Sequence, residues 1–394
     1  SPLTGRINDS LSSSGFAIAG KRTGFDALLF VGKSNEPTYV VIDNDGVHFE
    51  NASNLWGHSS AESEELLRKQ IGPQYQIAGI GPAGERLIHF ATISHDGRHA
   101  GRGGLGAVMG SKNLKAMAVN GKQTTSFARS AELVAYSKDL SKLSMGSATA
   151  KYRELGTVSN LLTFNRLGTL PTRNFQSSTF EGSTALAPET VKSKRTRASC
   201  AACTIGCEHI FHTKSRPDGV RMEYQNLFAF GPLCGVSDPD TVIHASSLCD
   251  EYGMDTISVG ASIAFGMECA ERGLIDAPEL RFGNSTSMIQ MIQQIATKSG
   301  LGELLSRGTR AAAREIGQGS EDFAPHVKGL EIPGYDPRAL QTMAMGFAVG
   351  TRGADHNRSG AYQVDFSDAV DRTNVDVNAV SPAIQTENES VIMD

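Results

Sequence analysis

The chain has 394 residues, of which 39% are hydrophobic and 20% are charged, and its formal net charge is −5. This composition is typical of a globular protein with two or three domains. The acidic balance gives no support for a nucleic acid or an anionic membrane surface as partner, and no apolar stretch reaches the length of a membrane span. With six cysteines and no visible secretory leader, we expect a cytoplasmic protein.

Residues 1–128 predict a β-rich domain. Runs of β-branched and aromatic residues, bounded by turn residues, predict strands at 27–31, 38–42, 77–80 and 87–93. One helix is expected over 59–70, with Ser60 as its N-cap.

Residues 129–324 predict a mainly α-helical domain, and a second helical domain is expected to start at 325 and run to 394. Helical periodicity predicts helices at 130–143, 148–167, 240–252, 256–272 and 288–298. Gly253 is expected to end one helix and Asp255 to cap the next. Because the chain opens without Met and stops inside an apolar run, we expect it to be a fragment of a longer protein.

Three cysteines, Cys200, Cys203 and Cys207, lie within eight residues. This spacing lets three thiolates reach one small inorganic group, and three cysteines plus a remote fourth typically hold a [4Fe–4S] cluster. A zinc site that adds His209 or His212 is the second interpretation, and a disulfide between two of the cysteines is the third. Within the chain, Cys234 is the best candidate for the fourth cluster ligand.

A glycine-rich stretch at 101–106 contains Arg102, Gly103 and Gly104. Glycines allow backbone N–H groups to approach an anion, and an arginine can bind a phosphate with two hydrogen bonds. Taken alone, the stretch is as well explained by a glycine-rich turn.

Further polar groups could belong to a site. Asp250 and Asp255 flank the turn at Gly253 and could accept hydrogen bonds from a ligand, although capping alone also explains Asp255. His356 lies in a polar loop and has the chemistry for proton transfer, although a lone loop histidine is more often a packing residue. Glu223 follows the cysteines and could line the same cavity.

Together these motifs resemble the tungsten-containing aldehyde:ferredoxin oxidoreductase family over essentially the whole chain and in family order. Residues 101–118 (GRGGLGAVMGSKNLKAMA) match a family signature, the three cysteines fit its C-x2-C-x3-C cluster motif, and 250–255 fit the first of its two D-x-x-G-L-[CD] motifs. The combination is far more specific than any one of these motifs.

The resemblance implies an α+β fold, in which a β-rich base domain and mainly helical domains enclose tungsten (or molybdenum) held by two pterins. A [4Fe–4S] cluster on Cys200, Cys203 and Cys207 would pass electrons to ferredoxin, with its fourth cysteine beyond Asp394, the first residue of the second D-x-x-G-L-C motif. His356 would move a proton as an aldehyde is oxidised to a carboxylic acid. The residues implied to contact the pterins are Arg102, Gly103, Gly104, Asp250, Gly253, Met254 and Asp255.

The chain departs from the family pattern in three ways. The glycine-rich stretch near the start reads Ser12-Ser13-Ser14-Gly15 here, so we expect a less close approach of the backbone to the cofactor there. Gln225 stands where founding members have a glutamate, so a proton-carrying role there would be empty or fall to Glu223. His244 and Ile289 replace the acid and histidine that bridge two subunits through a metal in some members, so any homodimer is expected to lack that metal.

Three functions therefore remain open at the sequence level. The first is aldehyde oxidation with ferredoxin as acceptor. The second is the catalytic subunit of a tungsten-dependent aromatic acyl-CoA reductase, which the same cofactor motifs would serve. The third is a plain iron–sulfur electron carrier or a zinc-stabilised binding protein.

Overall fold

The computed structural model describes residues 1–191, 194–214, 216–368, 370–374 and 376–393. Asp394, predicted to begin the second D-x-x-G-L-C motif, lies outside the described residues. The strands are β1 Thr38–Asp43, β2 Gly46–Asn51, β3 Gln76–Gly79, β4 Ile93–His95, β5 Arg98–Ala100, β6 Leu114–Asn120, β7 Lys194–Ala198, β8 Glu208–His212, β9 Val220–Met222, β10 His326–Val327 and β11 Leu330–Glu331.

The α-helices alternate with short turns and become dominant after residue 129. They are α1 Gly15–Lys21, α2 Ser60–Ile71, α3 Pro82–Glu85, α4 Leu105–Ser111, α5 Ser130–Ser144, α6 Ala150–Leu155, α7 Asn160–Arg166, α8 Tyr224–Phe230, α9 Pro239–Tyr252, α10 Thr256–Glu271, α11 Ser285–Thr297, α12 Leu301–Leu305, α13 Thr309–Ile316, α14 Gln341–Val349, α15 His356–Ser359, α16 Tyr362–Asp365 and α17 Val380–Met393.

The first sheet has the strand order β2-β1-β6-β3-β4-β5, in which β1 and β6 are parallel and the other neighbours antiparallel. Successive side chains of a strand point to opposite faces. Tyr39 and Val41 therefore pack towards Leu67 of α2 on one face, and Val40 and Ile42 pack towards Met109 of α4 on the other. Helices cover both faces, which explains why β1 is almost continuously apolar.

The second part of the chain is built around α10. Every residue from Ile257 to Cys269 is buried, as expected for a helix that is apolar on all sides. A Cβ atom at Gly260 would lie 2.5 Å from the Ala229 carbonyl oxygen, so α10 and α8 approach backbone to backbone. The sheet β7-β8-β9 lies beside this core and carries the cysteines in its first connection.

The mixed sheet followed by packed helices confirms the predicted α+β class. Within the described residues, no helix is both long and apolar enough to span a membrane. Gly253 ends α9 in the left-handed region with φ 76°. Asp255 caps α10 by accepting from the backbone N–H groups of Ile257 and Ser258. Both positions agree with the sequence prediction.

Four local predictions are wrong. Residues 27–31 form no strand: Leu29 and Val31 are largely exposed, and Phe30 packs against the face of the sheet that α4 covers. In the segment 87–93 only Ile93 belongs to a strand, since Leu87 turns the chain at φ 59°. The helix predicted over 148–167 is divided at Gly156, whose φ of 72° ends α6 before α7 begins. The cap of α2 is Ser59, not Ser60, and it forms a capping box with Glu62.

A fully buried ion pair links the first sheet to α3. The side chain of Lys115 is 0% exposed and that of Glu85 5% exposed. The Lys115 Nζ donates to Glu85 and, at 2.8 Å, to the His58 carbonyl. Burial lowers the pKa of Lys115, so the carboxylate is what retains its charge in the core.

We expect Lys115→Met to lower the free energy of unfolding by roughly 3–5 kcal/mol, because Glu85 would be left without its cation. Lys69→Met is the matched control: Lys69 pairs with Glu65 on the surface, both 69% exposed, and its loss should be below about 1 kcal/mol. Urea denaturation followed by circular dichroism measures both variants. Equal losses would contradict the role assigned to the buried pair.

Candidate active site

Arg102 brings together segments that lie far apart in the sequence. Its Nη1 donates to Asp255 Oδ2 at 3.1 Å. Its Nη2 donates to the carbonyl oxygens of Glu331 at 2.6 Å and Ala354 at 2.9 Å. Its Nε lies 3.9 Å from Asp355 Oδ2. One guanidinium therefore joins the glycine loop, the start of α10, β11 and the loop before His356.

The glycines beside Arg102 are required by protein contacts. Gly103 and Gly104 have φ of 87° and 77°, and a Cβ atom at Gly104 would lie 1.8 Å from the His89 carbonyl oxygen. A Cβ atom at Gly103 would collide with Asn8, whose Nδ2 donates to the Arg102 carbonyl at 3.1 Å. Among the described residues, the N–H groups of Gly103 and Gly104 have no protein acceptor, so they remain available to an anion.

Asp255 shares its environment with a carboxyl group that sequence reasoning missed. The Ser258 Oγ lies within hydrogen-bond distance of both Asp255 Oδ2, at 2.7 Å, and Glu331 Oε2, at 2.8 Å. Glu331 is 0% exposed, and burial raises its pKa although the Thr309 N–H donates to it. The sequence marks Glu331 only as part of a short apolar strand, so only the folded contacts reveal it.

The remaining residues of the 250–255 motif contact the base domain. Asp250 Oδ1 lies 3.1 Å from His99 Nε2. The Gly253 carbonyl accepts from the Thr92 N–H at 2.9 Å, and Met254 forms a β-bridge with Ala91. The segment 250–255 thus attaches the helical region to residues 91–99, which precede the glycine-rich stretch.

His356 lies next to this group, at the first position of α15. Asp355 caps α15 and forms an ion pair with Arg352 Nη2 at 2.7 Å. Burial would raise the pKa of Asp355, but Arg352 and Arg102 outweigh it and hold that pKa below its usual value. Burial lowers the pKa of His356 to about 4. Its ring lies 4.9 Å from the Tyr335 ring, centroid to centroid. His356 is therefore neutral at physiological pH.

Two buried polar atoms near Arg102 have no partner among the described residues, namely Asn8 Oδ1 and Arg352 Nε. Buried polar groups are normally hydrogen-bonded. Together with the free N–H groups of Gly103 and Gly104, they supply the mixed donors and acceptors that a pterin with its phosphate would bind. The residues present fit such a cofactor.

The cysteine loop joins β7 to β8. All six cysteines are free thiols, so the structure gives no support to the disulfide interpretation. Ala202 and Gly206 have φ of 59° and 61°, and these turns keep Cys200, Cys203 and Cys207 in one loop. Burial raises the pKa of Cys207 to about 11, with a further contribution from Glu223. The thiol pKa values of Cys200 and Cys207 also depend on Cys203, so the three groups lie close enough to interact.

The spacing of the three cysteine sulfurs bears on the zinc interpretation. The three Sγ atoms do not all lie within 4.8 Å of one another. Sulfurs on one tetrahedral zinc ion are roughly 3.8 Å apart, given Zn–S bonds of about 2.3 Å. The loop, as folded, therefore does not present the sulfur spacing of a formed zinc site. Cys234 is 0% exposed, and its Sγ contacts the Ala229 and Gly260 carbonyls, so it is placed in the apolar core.

Glu223 lies on the cysteine side of the structure. It accepts from the Thr157 hydroxyl, and its Oε1 lies 3.7 Å from Arg98 Nη1. Burial raises its pKa, so it can hold a proton. Among the described residues, no hydrogen bond or ion pair joins Glu223 to His356. Of the two predicted catalytic residues, Glu223 thus lies beside the cysteine loop and His356 beside Asp355 and Tyr335.

A cavity of about 560 Å³ lies elsewhere, between α1 and the first sheet. It is lined mainly by apolar side chains such as Phe16, Phe30 and Met117, and by none of the predicted site residues. This cavity is therefore separate from the candidate site around Arg102.

Comparison with known proteins identifies the family. A model described as aldehyde ferredoxin oxidoreductase, N-terminal domain, matches residues 1–121, and one described as domains 2 and 3 matches residues 135–394. The chain belongs to the aldehyde ferredoxin oxidoreductase family. The tungsten-containing aldehyde ferredoxin oxidoreductase of Pyrococcus furiosus is 36% identical over 375 residues, which is 90% of this chain and 60% of the relative.

Two further proteins are similar to the chain at lower identity. The chain is 27% identical over 398 residues to the WOR-like subunit of an aliphatic sulfonate oxidoreductase of Pyrococcus furiosus, covering 92% of this chain and 63% of that one. The solved active site complex BamBC of benzoyl coenzyme A reductase with 1,5-dienoyl-CoA gives a TM-score of 0.75 at 27% identity. The match covers 91% of this chain and 58% of that chain. This chain therefore spans about 60% of the length of the curated relatives that it matches.

We expect Arg102→Lys to lower the free energy of unfolding by roughly 2–3 kcal/mol, because one ammonium cannot satisfy all of the buried acceptors around the guanidinium. The control is Arg307→Lys, since Arg307 pairs with Glu303 and Glu315 on the surface and should tolerate the change within about 1 kcal/mol. Urea denaturation compares them. A larger loss for Arg307→Lys would count against the bridging role.

The low pKa of His356 predicts a pH dependence of stability. Between the folded value of about 4 and the ordinary value of 6.5, the unfolded chain binds a proton at this residue that the folded chain lacks. Stability should therefore fall as the pH decreases through this window. The thermal midpoint of His356→Gln should fall less steeply than that of the wild type. The exposed His48→Gln is the control, and identical slopes for all three proteins would refute the assignment.

Proposed function

We propose that this chain forms the catalytic unit of a tungsten–bis-pterin oxidoreductase, which oxidises an aldehyde to a carboxylic acid and delivers the electrons through a [4Fe–4S] cluster to ferredoxin. The observation that carries the proposal is the bonding of Arg102 to Asp255 and to the carbonyl before Asp355 and His356. This bonding joins the glycine-rich stretch, the segment 250–255 and the loop before His356, and so supports a shared site.

The pterin site would use both backbone and side-chain groups. The N–H groups of Gly103 and Gly104 would bind the anionic part of a pterin, and Asp255 and Asp250 would accept from pterin N–H groups. When bound, the tungsten–pterin centre would supply two-electron chemistry at the aldehyde carbon. Arg102 would hold the glycine loop against the helical region and so fix the distance between the two binding segments.

His356 would handle the proton. A neutral imidazole presents one N–H donor and one nitrogen acceptor. At physiological pH His356 can therefore accept a proton as the aldehyde is hydrated or attacked, and it can return that proton to solvent. The Tyr335 ring, packed against the imidazole, limits the access of water to one side of His356.

Cys200, Cys203 and Cys207 would hold the cluster, with a fourth ligand from outside the described residues. Such a cluster transfers one electron at a time, which suits the division of a two-electron oxidation into single steps. Glu223, beside Cys207, would hold a proton close to the cluster and not at the aldehyde.

A second function has a specific observation in its favour. The similarity to the BamBC complex of benzoyl coenzyme A reductase covers 91% of this chain. Reduction of an aromatic acyl-CoA thioester would use the same cofactor-binding residues. Substrate tests must therefore include both classes.

We expect the full-length protein, purified without oxygen, to contain about one tungsten or molybdenum and about four iron atoms per chain. Aldehyde addition should reduce methyl viologen. Cys203→Ser should lose iron, whereas Cys234→Ala should keep it because Cys234 is buried in the apolar core. Activity with benzoyl-CoA and reduced viologen, but with no aldehyde, would favour the second function. Zinc in place of iron would refute the cluster.

A further inference from the structure

A row of charged side chains connects the β4–β5 hairpin to the cysteine loop. Arg98, the first residue of β5, donates through Nη1 to Glu208 Oε1. Glu208 follows Cys207 directly in the chain, and its side chain is 1% exposed. Cys200 Sγ lies 3.7 Å from the same Glu208 oxygen. A single carboxylate oxygen thus contacts both the Arg98 guanidinium and the thiol of a proposed cluster ligand.

A second arginine binds the other side of this carboxylate. Arg221 Nη2 lies 3.1 Å from Glu208 Oε2, and its Nη1 donates to the Gly97 carbonyl of the hairpin. The two arginines differ in their relation to the cysteines. Burial would lower the pKa of Arg98, but Glu208 and the thiolates of Cys200 and Cys207 raise it. Arg98 in turn acts on both thiols.

These fixed charges have a direct consequence for a bound cluster. Reduction adds one negative charge, so a nearby cation stabilises the reduced form and a nearby anion destabilises it. The net charge around a cluster is one of the factors that set its potential. The burial of Glu208 limits screening by salt, and the partial burial of Arg98, 27% exposed, does so to a lesser degree.

We propose that Arg98 and Glu208 tune the reduction potential of the cluster held by Cys200, Cys203 and Cys207, with Arg98 raising it and Glu208 lowering it. This inference rests on the proposed function, because it requires a cluster in that loop. Both are positioning residues that act through charge and ligate nothing. Arg221 holds the carboxylate in place but lies on its far side.

The test is a redox titration of the anaerobically purified full-length protein, with dithionite supplying the one electron and electron paramagnetic resonance reporting the reduced cluster. At the poise where half of the wild-type clusters are reduced, fewer than half should be reduced in Arg98→Gln. Arg98→Lys keeps the charge and should restore the wild-type midpoint. Arg221→Gln removes a guanidinium from the same carboxylate and should shift the midpoint less.

Glu208→Gln should shift the midpoint in the opposite direction, so that more than half of its clusters are reduced at the same poise. Midpoint shifts of opposite sign in Arg98→Gln and Glu208→Gln distinguish a charge effect from structural damage. If Arg98→Gln loses its iron, Glu208→Gln and Arg98→Lys together test the proposal. Intact clusters with unmoved potentials, or shifts of the same sign, would overturn this inference alone. A wild-type protein without iron would overturn the proposed function as well.

Discussion

The guanidinium of Arg102 is the interaction on which the candidate site depends. A planar group with several fixed donors can bind a carboxylate on one side and two carbonyl oxygens on the other, and Arg102 does so across 252 residues of chain. Asp255, Glu331 and Asp355 are all nearly or fully buried, so their carboxyl groups need local partners. The cost of burying these carboxyl groups is offset by their partners: Arg102 binds Asp255, Arg352 binds Asp355, and the Thr309 N–H donates to Glu331.

Three residues from one short stretch, 98–102, contact both the cysteine loop and the segment 250–255. Arg98 binds Glu208 beside the cysteine loop, His99 pairs with Asp250, and Arg102 binds Asp255. The hairpin β4–β5 and the loop after it therefore fix the cysteine loop relative to the cofactor-binding segments. A shift of this hairpin would change both sites together. Charges beside the cysteine loop and charges beside the glycine loop therefore come from one short stretch.

The sequence predicts the parts that depend on local chemistry. The left-handed turn at Gly253 and the cap at Asp255 follow from the residues themselves, and the β-rich and helical regions follow from periodicity. The strand predicted at 27–31 fails because an apolar run becomes a strand only where a neighbouring strand pairs with its backbone, and no local pattern encodes that tertiary pairing. Glu331 and Glu208 were missed for a related reason: each is a single acid in an ordinary strand, and only tertiary contacts place it beside Arg102 or Cys200.

The glycine-rich signature illustrates how packing and ligand binding share the same residues. Cβ atoms at Gly104, Gly106 and Gly110 would lie 1.8, 2.3 and 1.9 Å from the carbonyl oxygens of His89, Thr92 and Gly84. Glycine at these positions therefore lets α4 pack against the backbone of 84–92, independently of any cofactor. The N–H groups of Gly103 and Gly104, which have no acceptor among the described residues, are the part of this stretch that could serve ligand binding. The glycine pattern thus records chiefly the close packing that holds this loop in position, and a ligand would use the N–H groups that have no protein acceptor.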